Sequence, residues 1–464
     1  MAKKGIATIE KEYIATRKTS QKMYRRAQKV IPSGIVHDSR YISPFPFYVE
    51  KAKGSRKWDV DGNELIDLWS GHGSLVLGHG HPDVVAAVTQ QVKKGFHYSA
   101  CHQLEVELAE MVVRLIPCAE KVRLMQTGTE ANQLAIRIAR AYTGKNKAIK
   151  FRGHFHGYWN EGVLAVRPPF DVPMSIGVPK EDMSNMLLAH HNSSEDVREL
   201  IEESGDVACV IMDPAGAHGL VMANRRGFVE EVRQITKEKG VVLIFDEVVS
   251  GFRYAPGGAQ QILGITPELT TLGKAIGGGL NMAAVAGKKE IMEVMEFTED
   301  ADRNRFRRVV DQGTHSGSPV ACAAGLATLK ILSTGKPQAR INKQATKLRK
   351  AMNEVIKRHD IPGCVYGNYS MNHIFLFHDC PHLGKCDTVN CAFPDHEAID
   401  RGTPVKARRL LHLANILHGF DHSGAAGTLF MNAAVSEQDI EKVVMAFDRS
   451  LTRLKEERVF ESSA

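Results

Sequence analysis

Five short apolar runs constrain this chain more than any other feature. VRLM (122–125), AIKF (148–151), VACVIM (207–212), VVLIF (241–245) and LTTL (269–272) recur between about residues 85 and 330, with helical patterns between them. A run that is apolar at nearly every position cannot present one face to water, so both of its faces must be covered. Strands of that kind alternating with helices predict an α/β fold, with a mostly parallel sheet flanked by helices. In such folds ligands bind outside the carboxyl ends of the strands. The residues that follow each run are therefore the ones to read for chemistry.

The pattern changes around LSTGKPQ (332–338). Beyond it come an amphipathic helix over about 338–358, an irregular Gly/Pro/Cys-rich stretch (360–404), and helices near 405–418 and 436–456. At the other end, residues 8–30 read as one polar helix stopping near Pro32. In the KWDVDGNELIDLWSG stretch that follows, Asp61-Gly62 sits between alternating residues, a hairpin signal. The expected organisation is an N-terminal arm with part of a small domain (1–80), a large domain (81–331), and the rest of the smaller α+β domain (332–464).

Composition narrows the partners. Apolar content is 43% and charged content 24%, ordinary for a soluble globular chain. The net charge of +7 is mild for 464 residues, and the densest basic run, Arg303 to Arg308, holds one aromatic. That run reads as a solvated face, and no nucleic-acid partner is expected. MAKKGIATIEKEY lacks an apolar secretory core, and no stretch reaches the length of a membrane span. With five of eight cysteines scattered singly, a cytoplasmic protein without membrane attachment is expected. Cys380, Cys386 and Cys391 cluster with His378, His382 and His396, but their C-x5-C-x4-C spacing lacks the short C-x2-C pairs of structural zinc sites. The stretch reads as an irregular insertion, and no metal is expected.

Three of the strands end in distinctive residues. VRLMQ leads into TGTEANQLAIRIARAYTG, where Thr127, Gly128 and Thr129 open a helix that Gly144 stops. Amides and hydroxyls there make either an anion site or an ordinary threonine cap. VVLIF ends in Asp246, an acid that must face a cation or cap the next segment. LTTL ends in Gly273-Lys274, with three glycines following at 277–279. Together they describe one ligand, with a phosphate for Thr127–Thr129, a basic ring nitrogen for Asp246 and an aldehyde for Lys274. Pyridoxal 5′-phosphate has all three, with Lys274 as its Schiff-base partner. The glycines around the lysine are expected to make room for it.

Over about residues 25–456 the sequence resembles the class III pyridoxal-phosphate aminotransferases of fold type I, in their glutamate-1-semialdehyde 2,1-aminomutase-like branch. The stretches that carry this are DVDGNELIDL, GHGHP, TGTEANQLAIRIARAYTG, GHFHG, LIFDEVVSGFR, TTLGKAIGGGL and QGTHSGSPVACAAGLATL. The resemblance implies that Lys274 is the catalytic, cofactor-bearing lysine and Asp246 the partner of the pyridinium nitrogen. Val248 would pack one face of the ring. Phe155 would stack on the other, where the family often has a tyrosine. Gly128 and Thr129 would hold the phosphate, and Thr314 would reach it from the partner subunit of a homodimer with active sites at the interface. Arg40 matches an arginine that holds a substrate carboxylate.

Other positions depart from the aminomutase pattern. His72 stands where it has a tryptophan, His218 where it has an asparagine near the cofactor's phenolic oxygen, and SGAAGT where it has an acidic residue. GHGSLVLGHGHP, His218 and DHSGAAGTLFMNAA look more like D-phenylglycine aminotransferase, a stereo-inverting relative. The expected activity is therefore amino-group transfer between an amino acid, with aromatic, D- or β-amino acids as candidates, and a keto acid, with Arg40 and His72 binding substrate. The alternatives are a 2,1-aminomutase, an amino-acid racemase, and a cofactor-bound scaffold without turnover. Of the remaining histidines, His154 and His156 are expected to orient Phe155 or to pack. His190 and His191 are expected to face solvent at a helix start.

Overall fold

The computed structural model describes residues 8–216, 224–376, 386–389, 404–424 and 427–459. These divide into two compact units. One takes in the described residues up to His81 and those from Arg340 onward; the described residues of the other lie within Pro82–Ala339. Strands are numbered in chain order.

The first unit carries β1 (Val49–Lys53), β2 (Arg56–Asp59) and β3 (Glu64–Asp67) in antiparallel order, with β13 (Phe420–Asp421) added parallel to β3. The β2–β3 turn falls at Asp61-Gly62, where Gly62 takes φ +89°, a left-handed value that favours glycine. A second small sheet joins β11 (Gly363–Tyr366), β12 (Met371–Leu376) and β14 (Thr428–Phe430). The helices Val405–Leu417 and Glu437–Glu456 stand where the sequence pattern puts them. The N-terminal helix differs. It is two helices, Thr8–Thr16 and Lys18–Ala27, broken at Arg17 (φ −129°, ψ 54°). Arg17 is buried, its Nε 3.4 Å from Asp59, and its Nη2 donates to the Ile416 carbonyl. Burying a guanidinium requires a paired carboxylate, and the kink carries the side chain to one.

In the second unit, β4 (Lys121–Met125), β5 (Lys147–Phe151), β6 (Met186–Ala189), β7 (Val207–Met212), β8 (Val242–Glu247), β9 (Leu269–Leu272) and β10 (Ala283–Gly287) form one sheet. Its order is β4-β10-β9-β8-β7-β5-β6, parallel except for β10, which lies antiparallel between β4 and β9. Two strands were not legible in the sequence. The small residues of β10 (AAVAG) lack a β-branched run, and β6 follows a polar segment. Every residue of β7 and β8 is buried. Alternate residues feed two cores. Ile211 and Ile244 pack with Leu134 and Ile138 of the helix Gly128–Thr143, while Val210 and Leu243 pack with Val232 and Ile235 of the helix Phe228–Lys239. Both faces of the sheet are thus covered, as near-continuous apolar strands require. The basic run lies on and just after a short helix, Ala301–Phe306, with Arg305 exposed.

Among the described residues no helix is long and apolar enough to cross a membrane. Of the cysteine-rich insertion, only Cys386 of its cysteines is described. Cys380, Cys391, His378, His382 and His396 lie outside the described residues, as does His218.

Candidate active site

The carboxyl ends of β4, β5, β7, β8 and β9 lie along one edge of the sheet, because all five strands run the same way. At the end of β8, Asp246 is 1% exposed. Its Oδ2 accepts from Asn132 Nδ2 at 2.7 Å and from His156 Nδ1–H at 2.8 Å, and its Oδ1 accepts from the Val248 amide at 3.0 Å. The carboxylate therefore caps the following segment and is also held by two side chains. These donors offset the cost of burying it. Asn132 is itself fixed, donating to the His156 carbonyl at 2.7 Å and accepting from Thr271 Oγ1 at 2.6 Å.

Two residues past the end of β9, Lys274 takes φ +49°. A non-glycine residue there is strained, and such strain persists where the surroundings over-determine it. Part of the side chain stays open to solvent, yet burial dominates its chemistry and pulls its amine down to about 8. Asp246 opposes that shift and Arg253 adds to it. Among the described residues no hydrogen bond holds the ammonium.

Three of the glycines near Lys274 are packed closely against protein neighbours. A Cβ on Gly273 would meet Val248 Cγ1 at 2.8 Å, and one on Gly128 would meet the same atom at 2.9 Å. Val248 is thus wedged between two glycines from different strand ends. Gly277 is filled by Met282, and Gly278 (φ +58°) lies against Thr328 and the Ala324 carbonyl.

Thr127 is a helix cap. Its Oγ1 accepts from the Glu130 amide at 3.2 Å, while Glu130 Oε2 accepts from the Thr127 amide at 2.9 Å. The first-turn amides of Gly128 and Thr129 lie before the reach of the helix's own bonds. The Thr127 cap thus leaves the amides of Gly128 and Thr129 outside its own hydrogen bonds, and an anion site there is compatible with it. Thr129 packs against Gly157, where a Cβ would meet its Oγ1 at 2.7 Å.

Phe155 sits in the loop after β5, half-buried between two buried histidines. His156 reaches Asp246. His154 Nε2 lies 2.9 Å from His191 Nδ1, and the Asp213 amide approaches His154 Nδ1 at 3.3 Å. His191 is buried, contrary to the solvent-facing expectation, because this contact draws it inward; His190 stays exposed and bonds Asp196. Lys150, inside β5, donates to the carbonyls of Gly162 (3.1 Å) and Leu164 (2.6 Å). Burial pulls its amine down to about 7.

Arg40 and His72 belong to the other unit. Arg40 is exposed. His72 takes φ +58° in a turn where Ser70, Gly71 and Gly73 also have positive φ, and its ring lies 4.6 Å from Trp69 and 4.8 Å from His37. Ser39 Oγ lies 3.1 Å from its Nε2. Thr314 is exposed, its carbonyl accepting from His97 Nε2–H at 2.6 Å, beside a hollow of about 170 Å³. The sequence reading missed Asn132, Thr271, His191 and Lys150. Only Lys150 left a signal, as a lone charge inside an apolar strand.

The residues brought together fit pyridoxal phosphate. They comprise a lysine amine of lowered basicity without a hydrogen-bond partner among the described residues, a fixed buried carboxylate, an open aromatic face and a helix N-terminus. The chain belongs to the class III aminotransferase family, which it matches over residues 38–380. Among its relatives is a glutamate-1-semialdehyde 2,1-aminomutase of Syntrophomonas wolfei, 38% identical over 93% of this chain and 97% of that protein. Among solved structures it is similar to an omega-transaminase from Sphaerobacter thermophilus (29% identity, TM-score 0.84, 94% of this chain and 98% of that one). It is also similar to a β-phenylalanine aminotransferase from Variovorax paradoxus (25% identity, TM-score 0.83, 97% of each chain).

Proposed function

We propose that the protein is a pyridoxal 5′-phosphate enzyme that moves an amino group between adjacent carbons of a small carboxylic acid, as glutamate-1-semialdehyde 2,1-aminomutase does. The near full-length 38% identity to a relative of that name carries this reading. Transfer between two molecules, the activity expected from the sequence, stands second. It is supported by His72, by the SGAAGT stretch, and by the similarity to the omega-transaminase.

When bound, the cofactor supplies an electron-withdrawing ring that makes the substrate's α-hydrogen acidic. The chain supplies the rest. Asp246, held by Asn132 and His156, faces the ring nitrogen and keeps it protonated. Lys274 would hold the aldehyde, and its free amine would take the α-proton and return it. An amine titrating near 8 is free as a base at mildly alkaline pH to a far greater extent than an ordinary lysine. The amides of Gly128 and Thr129 bind the phosphate, with Thr314 of a second copy completing that cradle. Val248 and Phe155 enclose the ring. Arg40 is assigned the substrate carboxylate, for which its planar fork of donors is suited, and His72 a further substrate contact. A homodimer accords with exposed Phe96 and Tyr98, which flank the histidine that holds Thr314.

The test supplies glutamate-1-semialdehyde alone to the cofactor-loaded protein and follows the 5-amino-4-oxo isomer by chromatography. Turnover without any second substrate supports the mutase reading. Turnover only when an amino donor is paired with a keto acid overturns it in favour of transamination. Sedimentation of the loaded protein as a monomer would remove the role given to Thr314.

A further inference from the structure

The loop Gly153–Gly157 presents one half-open aromatic ring, Phe155, between two buried imidazoles that face opposite ways. His156 is bound to the carboxylate side: its Nδ1–H donates to Asp246 Oδ2 at 2.8 Å and its carbonyl accepts from Asn132 at 2.7 Å. His154 is bound to the opposite side. The Asp213 amide points at its Nδ1 at 3.3 Å, so that nitrogen carries the lone pair and the proton sits on Nε2. His154 Nε2–H then donates to His191 Nδ1 at 2.9 Å. The two rings are 5.1 Å apart, 4% and 7% exposed, and flanked by Phe151 and Phe228.

We propose that His154 and His191 are positioning residues. Together they fix the backbone on the far side of Phe155, so that its ring is held at one height and tilt against the cofactor. This role rests on the cofactor reading above and extends it to residues behind the ring. A phenylalanine has no polar atom with which to set its own orientation. Its angle is therefore decided by the two peptides that flank it. The Asp246 side fixes one, and the His154–His191 bond, running to the loop before the helix Ser194–Ser204, fixes the other. The pair is wired in a single direction, donor to acceptor, and a buried bond of this kind has a defined geometry.

The experiment compares His191→Leu, which removes the acceptor, with His191→Asn, whose side-chain oxygen can stand where Nδ1 stood. Both are read by the rate of cofactor release from the loaded protein and by the visible circular dichroism of the bound cofactor. His191→Leu is expected to release cofactor about tenfold faster, the effect of one buried hydrogen bond, and to lose most of the visible dichroism. His191→Asn should recover both. The same pair in a Phe155→Ala background should differ little from each other, because the ring they orient is gone. Wild-type release and dichroism in His191→Leu would overturn the proposal. So would an undiminished effect in the Phe155→Ala background or, where the leucine variant folds poorly, a folded His191→Asn variant that recovers neither signal. If the wild-type protein takes up no cofactor at all, it is the function reading that fails, and this outcome is distinct from either.

Discussion

Asn132 Nδ2 stands 2.7 Å from both Asp246 Oδ2 and the His156 carbonyl, so one amide joins the helix after β4, the end of β8 and the loop after β5. Its Oδ1 adds β9 through Thr271. Four segments that carry the site are thus registered on a single side chain.

Replacing that side chain with leucine leaves Asp246, the His156 carbonyl and the Thr271 hydroxyl each one partner short in a buried setting. Asn132→Leu is expected to weaken pyridoxal phosphate binding about tenfold and to lower stability by about 1–3 kcal/mol. Calorimetric titration with the cofactor checks the first and thermal unfolding the second. An unchanged affinity would show that the carboxylate does not need this anchor.

Asp246→Asn keeps the shape and removes the charge proposed to face the ring nitrogen. If that charge keeps the ring protonated, kcat falls by about a hundredfold or more while the cofactor still binds. Steady-state rates of the loaded variant decide this, and a loss of less than about threefold would contradict it.

The amine of Lys274 titrates at about 8 in the folded chain against an ordinary 10.5. Between those values the unfolded chain holds a proton that the folded chain has released. Folding is therefore penalised in full below about pH 8, and the penalty fades as pH rises to 10.5. In the cofactor-free protein, Lys274→Met should raise the unfolding temperature at pH 7, with the advantage shrinking towards pH 10. A constant difference across that range would rule out the depressed amine.

Gly273 has extended backbone that any residue can adopt, so its constraint is steric and comes from Val248. Gly273→Ala is expected to cost about 1–3 kcal/mol through overpacking. Adding Val248→Ala should recover part of it, since the two changes meet at one contact. Purely additive losses in a double-mutant cycle would place the strain elsewhere.

Lys150→Met leaves the buried carbonyls of Gly162 and Leu164 without their donor. A loss of about 2 kcal/mol is expected, with faster proteolysis inside residues 153–166 as the local readout. Proteolysis at the wild-type rate would mean that the loop is held by other contacts.

The parallel sheet was legible because VACVIM and VVLIF have no polar face to offer water, and that pattern admits few other folds. Lys274 and Asp246 were legible because each breaks such a pattern at a strand's end, where an expensive side chain demands a reason. Strand β10 was not, since AAVAG is buried by its neighbours rather than marked by its own bulk. Arg17 broke the expected single N-terminal helix because its partner, Asp59, lies 42 positions away in sequence, beyond any local pattern.

The sequence by itself thus determined the sheet, from strands with no polar face, and marked Lys274 and Asp246 as candidates, from the cost of hiding charge at the ends of such strands. Only the tertiary structure decided that Asn132 binds four segments together, that Val248 lies between Gly128 and Gly273, and that His154 meets His191. Those contacts join residues 24 to 139 positions apart in the chain. Their side chains carry no local periodicity, and their meaning comes from the folded positions of their partners.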